Sequence, residues 1–173
     1  IDADQQKCSQ DWITGTKDKL LSRVEIIEPV ELKAAEDVEV DFLLIDTQGS
    51  LTKEMAQFLF QSSLIITPCR ASRDDIVGQG WIEVFLKQSN QNIKKAPILT
   101  VLNGVNKRSS ILSHVIEQLK EDGVQVAETC ISQRVCFAET NVNKISVIGY
   151  NKHATKEIVD LTNEALNLIK SEV

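Results

Sequence analysis

The chain has few of the residues and runs that mark disordered, repetitive or membrane-spanning proteins. With 7 glycines and 3 prolines in 173 residues, and no recurring period of roughly 20 to 50 residues, a low-complexity segment or a solenoid is excluded. No apolar run approaches the roughly 20 residues that a membrane-spanning helix needs, and the opening Ile-Asp-Ala-Asp is not a secretory signal. The sequence therefore predicts one domain over residues 1–173, located in the cytoplasm with no membrane partner.

The cysteine pattern predicts free thiols. No two cysteines form a C-x-x-C pair and no histidine stands at ligand spacing from them, so buried thiols in a reducing compartment are favoured over disulfides or a zinc site. The four positions are Cys8, Cys69, Cys130 and Cys136. We assign them no chemistry.

The formal net charge of −6 argues against a broadly basic surface for nucleic acid. A local basic patch is still compatible with this charge. Its candidate residues are Lys107, Arg108 and Arg134. For any one of them taken alone, a solvated surface charge is the favoured interpretation.

Short apolar runs alternate with segments of helical period along the chain. Strands are predicted at Arg23–Ile27, Phe42–Ile45, Leu64–Thr67, Ile98–Leu102 and Val126–Ile131. Helices are predicted at Lys7–Ile13, Val30–Glu36, Thr52–Gln61, Asp74–Ser89, Ser109–Glu121 and about His153–Lys170. This alternation predicts an α/β fold with a doubly wound, mostly parallel sheet that has helices on both faces.

Details of the helices support these boundaries. Asp74 and Ser109 stand where helix N-caps belong, and Gly123 follows as a helix stop. In the last helix one stripe is apolar, and this stripe should pack on the sheet. Its residues are Ile158, Leu161, Ala165, Leu168 and Ile169.

Two apolar segments end at aspartates. The first is Ile-Asp-Ala-Asp-Gln-Gln at residues 1–6, and the second is Asp-Phe-Leu-Leu-Ile-Asp-Thr-Gln-Gly-Ser at residues 41–50. In a parallel α/β sheet such an ending places the carboxylate at the carboxyl edge of a strand, where ligands bind. The second segment has the form of a Walker B strand, whose final Asp46 can hold a magnesium ion through water. The two ends together predict a metal and phosphate site.

A phosphate-binding loop is missing from the sequence, because nowhere do the residues read G-x-x-x-x-G-K-[ST]. Residues 1–4 have the form of the end of a buried strand, but no strand body precedes them. Unpaired ladder groups in a central strand would cost about 1 to 3 kcal/mol each. We therefore expect residues 1–173 to be the carboxyl-terminal three quarters of a longer polypeptide. Its fold would be P-loop NTPase-like, and the first strand and the phosphate loop would be missing from the given residues.

Several segments in order resemble those of the ParA/MinD family of partition ATPases, which have a deviant Walker A loop. Residues 1–6 resemble the family's I-D-x-D-P-Q motif, and residues 41–50 resemble its D-[YF]-h-h-h-D-T-P-[GP]-S segment, where h is apolar. Gln5 and Gln48 replace a proline in each. Close counterparts also exist for residues 65–75, 101–109, 131–139 and 146–150. The likeness covers nearly the whole chain and is greatest to the short plasmid and chromosome partition proteins.

This resemblance implies ATP and magnesium as cofactors. Asp4 would orient or polarise the attacking water, Asp2 would support the magnesium shell, and Asp46 would hold the ion through water. Gly49 would let the backbone approach the γ-phosphate, and Asn103 would contact adenine. From the residues alone, Asp46, Gly49 and Asn103 could each be an ordinary turn residue. Because the phosphate loop is missing, it stays open whether the chain hydrolyses ATP.

The resemblance also implies partners. Partition ATPases of this type form a homodimer around two nucleotides, bind DNA without sequence preference and work with a ParB-like centromere-binding protein. Lys107, Arg108 and Arg134 would contact DNA phosphates, on the nucleoid, for segregation of plasmid or chromosomal DNA. One alternative is a MinD-like or cargo-positioning ATPase, although the last helix lacks a strongly basic polar face for a membrane. The other is a catalytically inactive interaction protein of the same fold.

Overall fold

A computed structural model of the protein describes residues 1–27, 39–49, 58–89 and 96–171. These ranges contain a mixed α/β arrangement built on a three-stranded parallel sheet. In chain order the elements are α1 (Cys8–Ile13), a 3₁₀ helix (Leu21–Arg23), β1 (Ile65–Cys69), α2 (Arg73–Ser89), β2 (Ile98–Val105), α3 (Ser110–Glu121), β3 (Ile131–Ser132), α4 (Val135–Val142) and α5 (Lys152–Ser171). Residues 58–61 are also helical.

The sheet has the order β1-β2-β3, and both pairs are parallel. Parallel neighbours need a crossover connection, which α2 supplies between β1 and β2 and α3 supplies between β2 and β3. β1 and β2 run in register from Ile65 opposite Ile98 to Cys69 opposite Leu102. The predicted parallel α/β class is thereby confirmed, and both strands extend beyond their predicted ends.

An irregularity near the end of β2 changes which face its side chains occupy. The register with β3 shifts between Asn103 and Val105, and the intervening Gly104 has φ +67°. This left-handed conformation favours glycine, and the extra residue of a bulge interrupts the alternation of faces. Val105 consequently packs in the same buried cluster as Leu102, three residues earlier.

Helices cover both faces of the sheet. On one face, Leu102 packs in a cluster with three buried residues of α3: Leu112, Val115 and Leu119. On the other face, Leu99 and Val101 pack with Ala165 of α5. Ile158, Leu161 and Leu168 of α5 complete this second cluster. The predicted packing of the α5 stripe on the sheet is therefore confirmed for these four positions.

A chain of buried polar side chains fastens α2 to the sheet. The hydroxyls of Thr67 in β1 and Thr100 in β2 lie 3.0 Å apart, and Thr100 donates to Gln79 Oε1 of α2 at 3.2 Å. All three residues are buried. Because buried polar groups cost free energy unless they are hydrogen-bonded, this chain fixes how α2 sits on the two strands.

Residues 11–18 are hydrogen-bonded to the loop between α4 and α5. We call this set of contacts the clasp. The Thr16 hydroxyl donates to the Lys144 carbonyl at 2.5 Å, and the Ser146 amide donates to Asp18 Oδ2 at 3.0 Å. Lys144 Nζ also pairs with Asp11 Oδ1 at 3.0 Å. These contacts join parts of the chain that are 128 to 133 positions apart.

Helix boundaries agree with the sequence in most places. Ser109 occupies the N-cap position of α3 in an extended conformation, but its side chain makes no cap hydrogen bond. Gly123 follows α3 with φ +79°, as expected for a helix stop. The predicted N-cap at Asp74 is wrong, because α2 already begins at Arg73. Ser72 serves there instead: its hydroxyl accepts from the Asp75 amide at 3.3 Å and donates to the Asp75 carboxylate at 2.8 Å.

Two predicted strands are wrong. Arg23–Ile27 contains the end of the 3₁₀ helix followed by irregular backbone. Phe42–Ile45 has no strand either, and Phe42 and Leu44 are exposed. Among the described residues, its backbone receives one hydrogen bond, from the Ile1 amino group to the Leu44 carbonyl at 2.7 Å. A strand needs a partner along its length, and only Asp46, the next residue, forms a bridge.

The predicted strand Val126–Ile131 is interrupted. Val126 forms a single parallel bridge with Thr100, and β3 begins only at Ile131. Between them, the carboxylate of Glu164 in α5 accepts the Glu128 amide at 2.7 Å and the Thr129 amide at 3.1 Å. These amides are therefore satisfied by a helix side chain instead of a neighbouring strand.

The remaining predictions concern helices. α4 was not predicted, whereas Lys7–Ile13, Asp74–Ser89 and about His153–Lys170 match α1, α2 and α5. Val30–Glu36 and most of Thr52–Gln61 lie outside the described residues. No helix within the described ranges combines the length and the hydropathy needed to cross a bilayer.

The core on the α3 face makes a stability prediction. Leu119→Ala should lower the free energy of unfolding by about 2 to 5 kcal/mol, because it removes a fully buried side chain and leaves a cavity. Ile111→Ala on the same helix is the control, since Ile111 is 61% exposed and should matter by less than about 0.5 kcal/mol. Urea unfolding followed by circular dichroism measures both, and equal losses would contradict this packing.

Candidate functional site

The two acidic segments lie side by side. Asp2 and Asp46 form a parallel bridge in which the Ala3 amide donates to the Asp46 carbonyl at 2.7 Å and the Asp46 amide donates to the Ile1 carbonyl at 2.8 Å. Both aspartates line a cleft of about 900 Å³, which we call the acidic cleft. Its wall also includes Ser9 and Trp12 of α1.

Asp2 caps α1 from outside the helix. It is buried, and its Oδ2 accepts the Gln10 amide at 2.9 Å while its Oδ1 accepts the Asp4 amide at 3.1 Å. Gln10 is the third residue of α1, whose cap residue Lys7 makes no side-chain cap bond. A carboxylate that receives amides from the first turn stabilises a helix N-terminus. Asp2 therefore has a structural role here, whatever else it binds.

Asp4 and Asp46 differ in their surroundings. Asp4 Oδ1 accepts the Gln6 amide at 2.8 Å within a local turn, and Asp4 is not among the residues that line the acidic cleft. Asp46 is exposed, and its Oδ2 accepts the Ser9 hydroxyl at 2.5 Å. Ser9 was not identified from the sequence. Nothing in the sequence around Ser9, a few residues after Asp4, indicated this contact.

The donor set of the acidic cleft can be tested against magnesium. Carboxylate and hydroxyl oxygens are the ligands that magnesium prefers, usually few from the protein and several from water. Asp46 and Ser9 fit this requirement. Asp2 fits it less well, because both of its carboxylate oxygens already accept amides. No group of three or more His, Cys, Asp or Glu able to hold a metal occurs in the part of the chain that the structure describes.

Gly49 and Asn103, the two remaining residues expected to bind the nucleotide, lie outside the acidic cleft. Gly49 is exposed, and a Cβ built on it would meet nothing within 4 Å. Asn103 is exposed near the end of β2, opposite Ile131. Neither residue lines the acidic cleft or the second cleft described next.

A second cleft lies at the carboxyl ends of β2 and β3, and we call it the basic cleft. Its volume is about 780 Å³, and it is lined by the last residues of the two strands, the loops that follow them and the start of α4. Because parallel strands end at the same edge, side chains from both loops meet there. The lining residues are Val105, Asn106, Lys107, Arg108, Ser132, Gln133, Arg134, Val135 and Ala138. All three candidate basic residues therefore belong to one cleft.

A buried glutamate of α5 joins two of these cations. Glu157 Oε1 pairs with Lys107 Nζ at 2.8 Å and with Arg134 Nη2 at 3.1 Å. The Ser132 hydroxyl donates to the same oxygen at 2.7 Å, and the Ser132 amide donates to Oε2 at 3.1 Å. Arg108 is exposed and forms no ion pair with any described residue. The cleft thus combines three cations with one carboxylate.

The charge of Glu157 is strongly favoured. Burial alone would raise the pKa of this carboxyl, but hydrogen bonds from Arg134, Lys107 and Ser132 outweigh burial and lower the pKa from 4.5 to about 2. Glu157 is consequently ionised at any physiological pH.

Glu157 was missed in the sequence. It lies between Ala154 and Leu161 on the buried stripe of α5, and a charged residue within an apolar stripe was the available signal. Glu164 follows seven residues later, on the same side of the helix. The spacing could suggest that these carboxylates face the protein, but it could not identify their partners.

The cysteines are free thiols, as predicted, but the prediction that they are buried is wrong for Cys8, which is exposed, and Cys130 is only half-buried. All four are free, and Cys69 and Cys136 are buried. Burial, with a smaller contribution from Asp75, raises the pKa of the Cys69 thiol to about 11. This thiol is therefore protonated and unreactive at neutral pH.

No protein-family model matches the chain, and no curated protein matches it significantly.

The Glu157 network makes the stability depend on pH. A carboxyl whose folded pKa is lowered from 4.5 to about 2 stabilises the fold fully above pH 4.5, and this stabilisation is lost as the pH falls through that window. The shift corresponds to about 3 kcal/mol. Wild type should therefore lose its advantage over Glu157→Gln as the pH is lowered from 4.5 towards 2, as measured by urea unfolding.

The control for this titration is Glu121→Gln, which removes an exposed carboxylate at the end of α3. It should follow the wild type at every pH. A stability difference between wild type and Glu157→Gln that is the same at pH 7 and pH 3 would show that Glu157 does not titrate as described.

Proposed function

We propose that this chain is a ParA-like partition ATPase of P-loop NTPase-like, doubly wound fold, which uses ATP and magnesium to control dimerisation and nonspecific DNA binding. One observation carries the proposal: Lys107, Arg108 and Arg134, from two separate loops, meet in one cleft at the carboxyl edge of the sheet. The likeness of its sequence segments to that family supplies the biological setting. In that setting the protein acts on the nucleoid, with a ParB-like partner, in segregating plasmid or chromosomal DNA.

The basic cleft supports the DNA-binding part. Lysine and arginine side chains that neutralise backbone phosphates give affinity without reading the base sequence. The chain as a whole is acidic, so the grouping of three cations at one edge is a local feature and would direct a polyanion there. In a homodimer the two copies of the cleft would double the number of phosphate contacts.

The acidic cleft supports the nucleotide part. When bound, magnesium supplies charge neutralisation for the transferred phosphoryl group. Asp46 and Ser9 would hold the magnesium ion from one side of the cleft. Asp2 would support them by capping α1 and by its bridge to Asp46. The likeness to the family would have Asp4 orient the attacking water, Gly49 admit the terminal phosphate and Asn103 contact the adenine. These three residues do not line the acidic cleft, so their roles rest on that likeness alone.

A second candidate is a catalytically inactive protein of the same fold that keeps the interaction surfaces. It is favoured by Asp2, whose two carboxylate oxygens are both occupied by amides and so have little left to offer a metal ion. In this case the basic cleft would still bind DNA. The two candidates therefore differ in phosphate release and agree in DNA binding.

The DNA-binding proposal predicts a uniform loss of affinity. Lys107→Ala combined with Arg134→Ala should weaken binding to duplex DNA by the same factor for unrelated sequences and reduce the logarithmic salt slope by about 0.9 per lost contact. Fluorescence anisotropy at several salt concentrations measures this. Lys120→Ala combined with Lys170→Ala removes the same charge from the last turns of α3 and α5 and should change little.

A second variant avoids disturbing Glu157. Arg108→Ala removes an exposed cation that forms no ion pair with the described residues, so it should reduce the slope by about 0.9 without loss of stability. Unchanged affinity of both variants at low salt would refute the assignment of this cleft to DNA.

The nucleotide proposal predicts phosphate release. The intact native protein, mixed with ATP, magnesium and duplex DNA, should release phosphate, and Asp46→Asn should slow this at least about tenfold because a metal ligand is lost. Asp122→Asn, at the end of α3, is the control and should match the wild type. Absence of any release from the native protein, with DNA binding intact, would favour the inactive candidate.

A further inference from the structure

Glu157 is placed where it controls access to the basic cleft. Its own side chain is 9% exposed, whereas those of its partners Lys107 and Arg134 are 46% and 30% exposed. The two cations thus contact a buried carboxylate on one side and reach solvent on the other. No other carboxylate is paired with a cation of this cleft among the described residues.

The carboxylate and an incoming phosphate need the same donors. Arginine presents planar N–H groups that pair with either anion, and a lysine ammonium does so as a point charge. Arg134 already directs both Nε and Nη2 towards Glu157, at 3.5 Å and 3.1 Å. A phosphate that pairs bidentately with this Nε–Nη2 edge of Arg134 must therefore displace the Glu157 carboxylate from it.

The carboxylate also reduces the charge that the cleft presents. Lys107, Arg108 and Arg134 contribute three positive charges and Glu157 removes one, which leaves two. Since affinity for a polyanion and its salt dependence both rise with the number of cations that neutralise phosphates, one carboxylate is a substantial fraction of the total.

We propose that Glu157 is a positioning residue and an internal competitor: it holds Lys107 and Arg134 together at the basic cleft, and phosphate groups bind there by displacing its carboxylate. The inference rests on the proposed function in that the phosphates are those of duplex DNA. As a consequence, DNA binding is weaker and less sensitive to salt than it would be with three unpaired cations. Weaker binding favours rapid release of the DNA.

The variant that tests this is Glu157→Gln, which keeps the shape of the side chain and removes its charge. Its affinity for a short duplex should rise on the order of tenfold at 0.1 M salt, and its salt slope should steepen by about 0.9. Glu157→Asp keeps the charge and should remain near the wild type. A residue that only stabilised the fold would give the opposite result for Glu157→Gln, namely equal or weaker binding.

The matched control is Glu121→Gln, which makes the same change of net charge. Glu121 lies eleven residues along α3 from Ser110, or about 16 Å at 1.5 Å per residue. This exceeds the Debye length of about 10 Å at 0.1 M salt, so the control should bind as the wild type does.

Inorganic tripolyphosphate is the second probe, because it carries phosphate groups without sugar or base. If Glu157→Gln binds tripolyphosphate more tightly than Glu121→Gln while none of the proteins binds DNA, the competition between Glu157 and phosphate stands and the assignment of these phosphates to DNA is wrong. If the wild type binds DNA but the two variants have equal affinity for both probes, the function stands and the inference is overturned. Equal affinity for tripolyphosphate in the absence of DNA binding, including no detectable binding, overturns both.

A measurement on the wild type avoids any folding defect of the variants. The ¹³C chemical shift of the Glu157 carboxyl should move as tripolyphosphate saturates the protein, because Lys107 and Arg134 leave it. The carboxyl shift of Glu164, which accepts two backbone amides and pairs with no cation of the described ranges, should stay constant. A Glu157 shift that does not change at saturation would show that phosphate binds without displacing the carboxylate, and it would overturn the inference.

Discussion

Two carboxylates on α5 supply hydrogen-bond acceptors to the segment that ends in β3. Glu164 accepts the amides of Glu128 and Thr129, and Glu157 accepts the amide of Ser132. Backbone amides that leave water need a partner, and here a helix supplies it where a neighbouring strand would do so in a regular sheet. The conformation of the loop after β3, and with it the wall of the basic cleft, therefore depends on how α5 docks.

The two clefts hold their charges in different ways. In the acidic cleft, Asp2 is used by the backbone of α1, and Asp46 remains exposed beside Ser9. In the basic cleft, a single buried carboxylate organises cations from two loops. Charges fixed by short-range hydrogen bonds need little reorganisation when a ligand arrives, whereas the edge of Arg134 that is paired with Glu157 must exchange partners before a ligand can take it. The acidic cleft is thus suited to holding a ligand in a fixed position, and the basic cleft is suited to binding a ligand reversibly.

Hydrophobic periodicity predicted the helices and strands that pack through a regular apolar face. β1, β2, α3 and the apolar stripe of α5 follow directly from apolar patterns. α4 was missed because its buried positions, Cys136 and Thr140, do not form an apolar stripe. The interrupted strand before Ile131 could not be anticipated, since the acceptor on Glu164 lies more than thirty residues away. The same limit applies to the site: composition identified the cations, but only the fold identified the carboxylate between them.

The clasp has a consequence for the order in which the protein assembles. Closing a loop of about 128 residues costs conformational entropy before the few bonds at its ends compensate for it, so contacts of such long range form late. On a ribosome, the residues that receive Thr16 and Asp18 emerge only after most of the sheet has been synthesised. The contacts of the clasp are therefore among the last to form, after the bonds by which Asp2 and Asp46 hold α1 from within the first 46 residues.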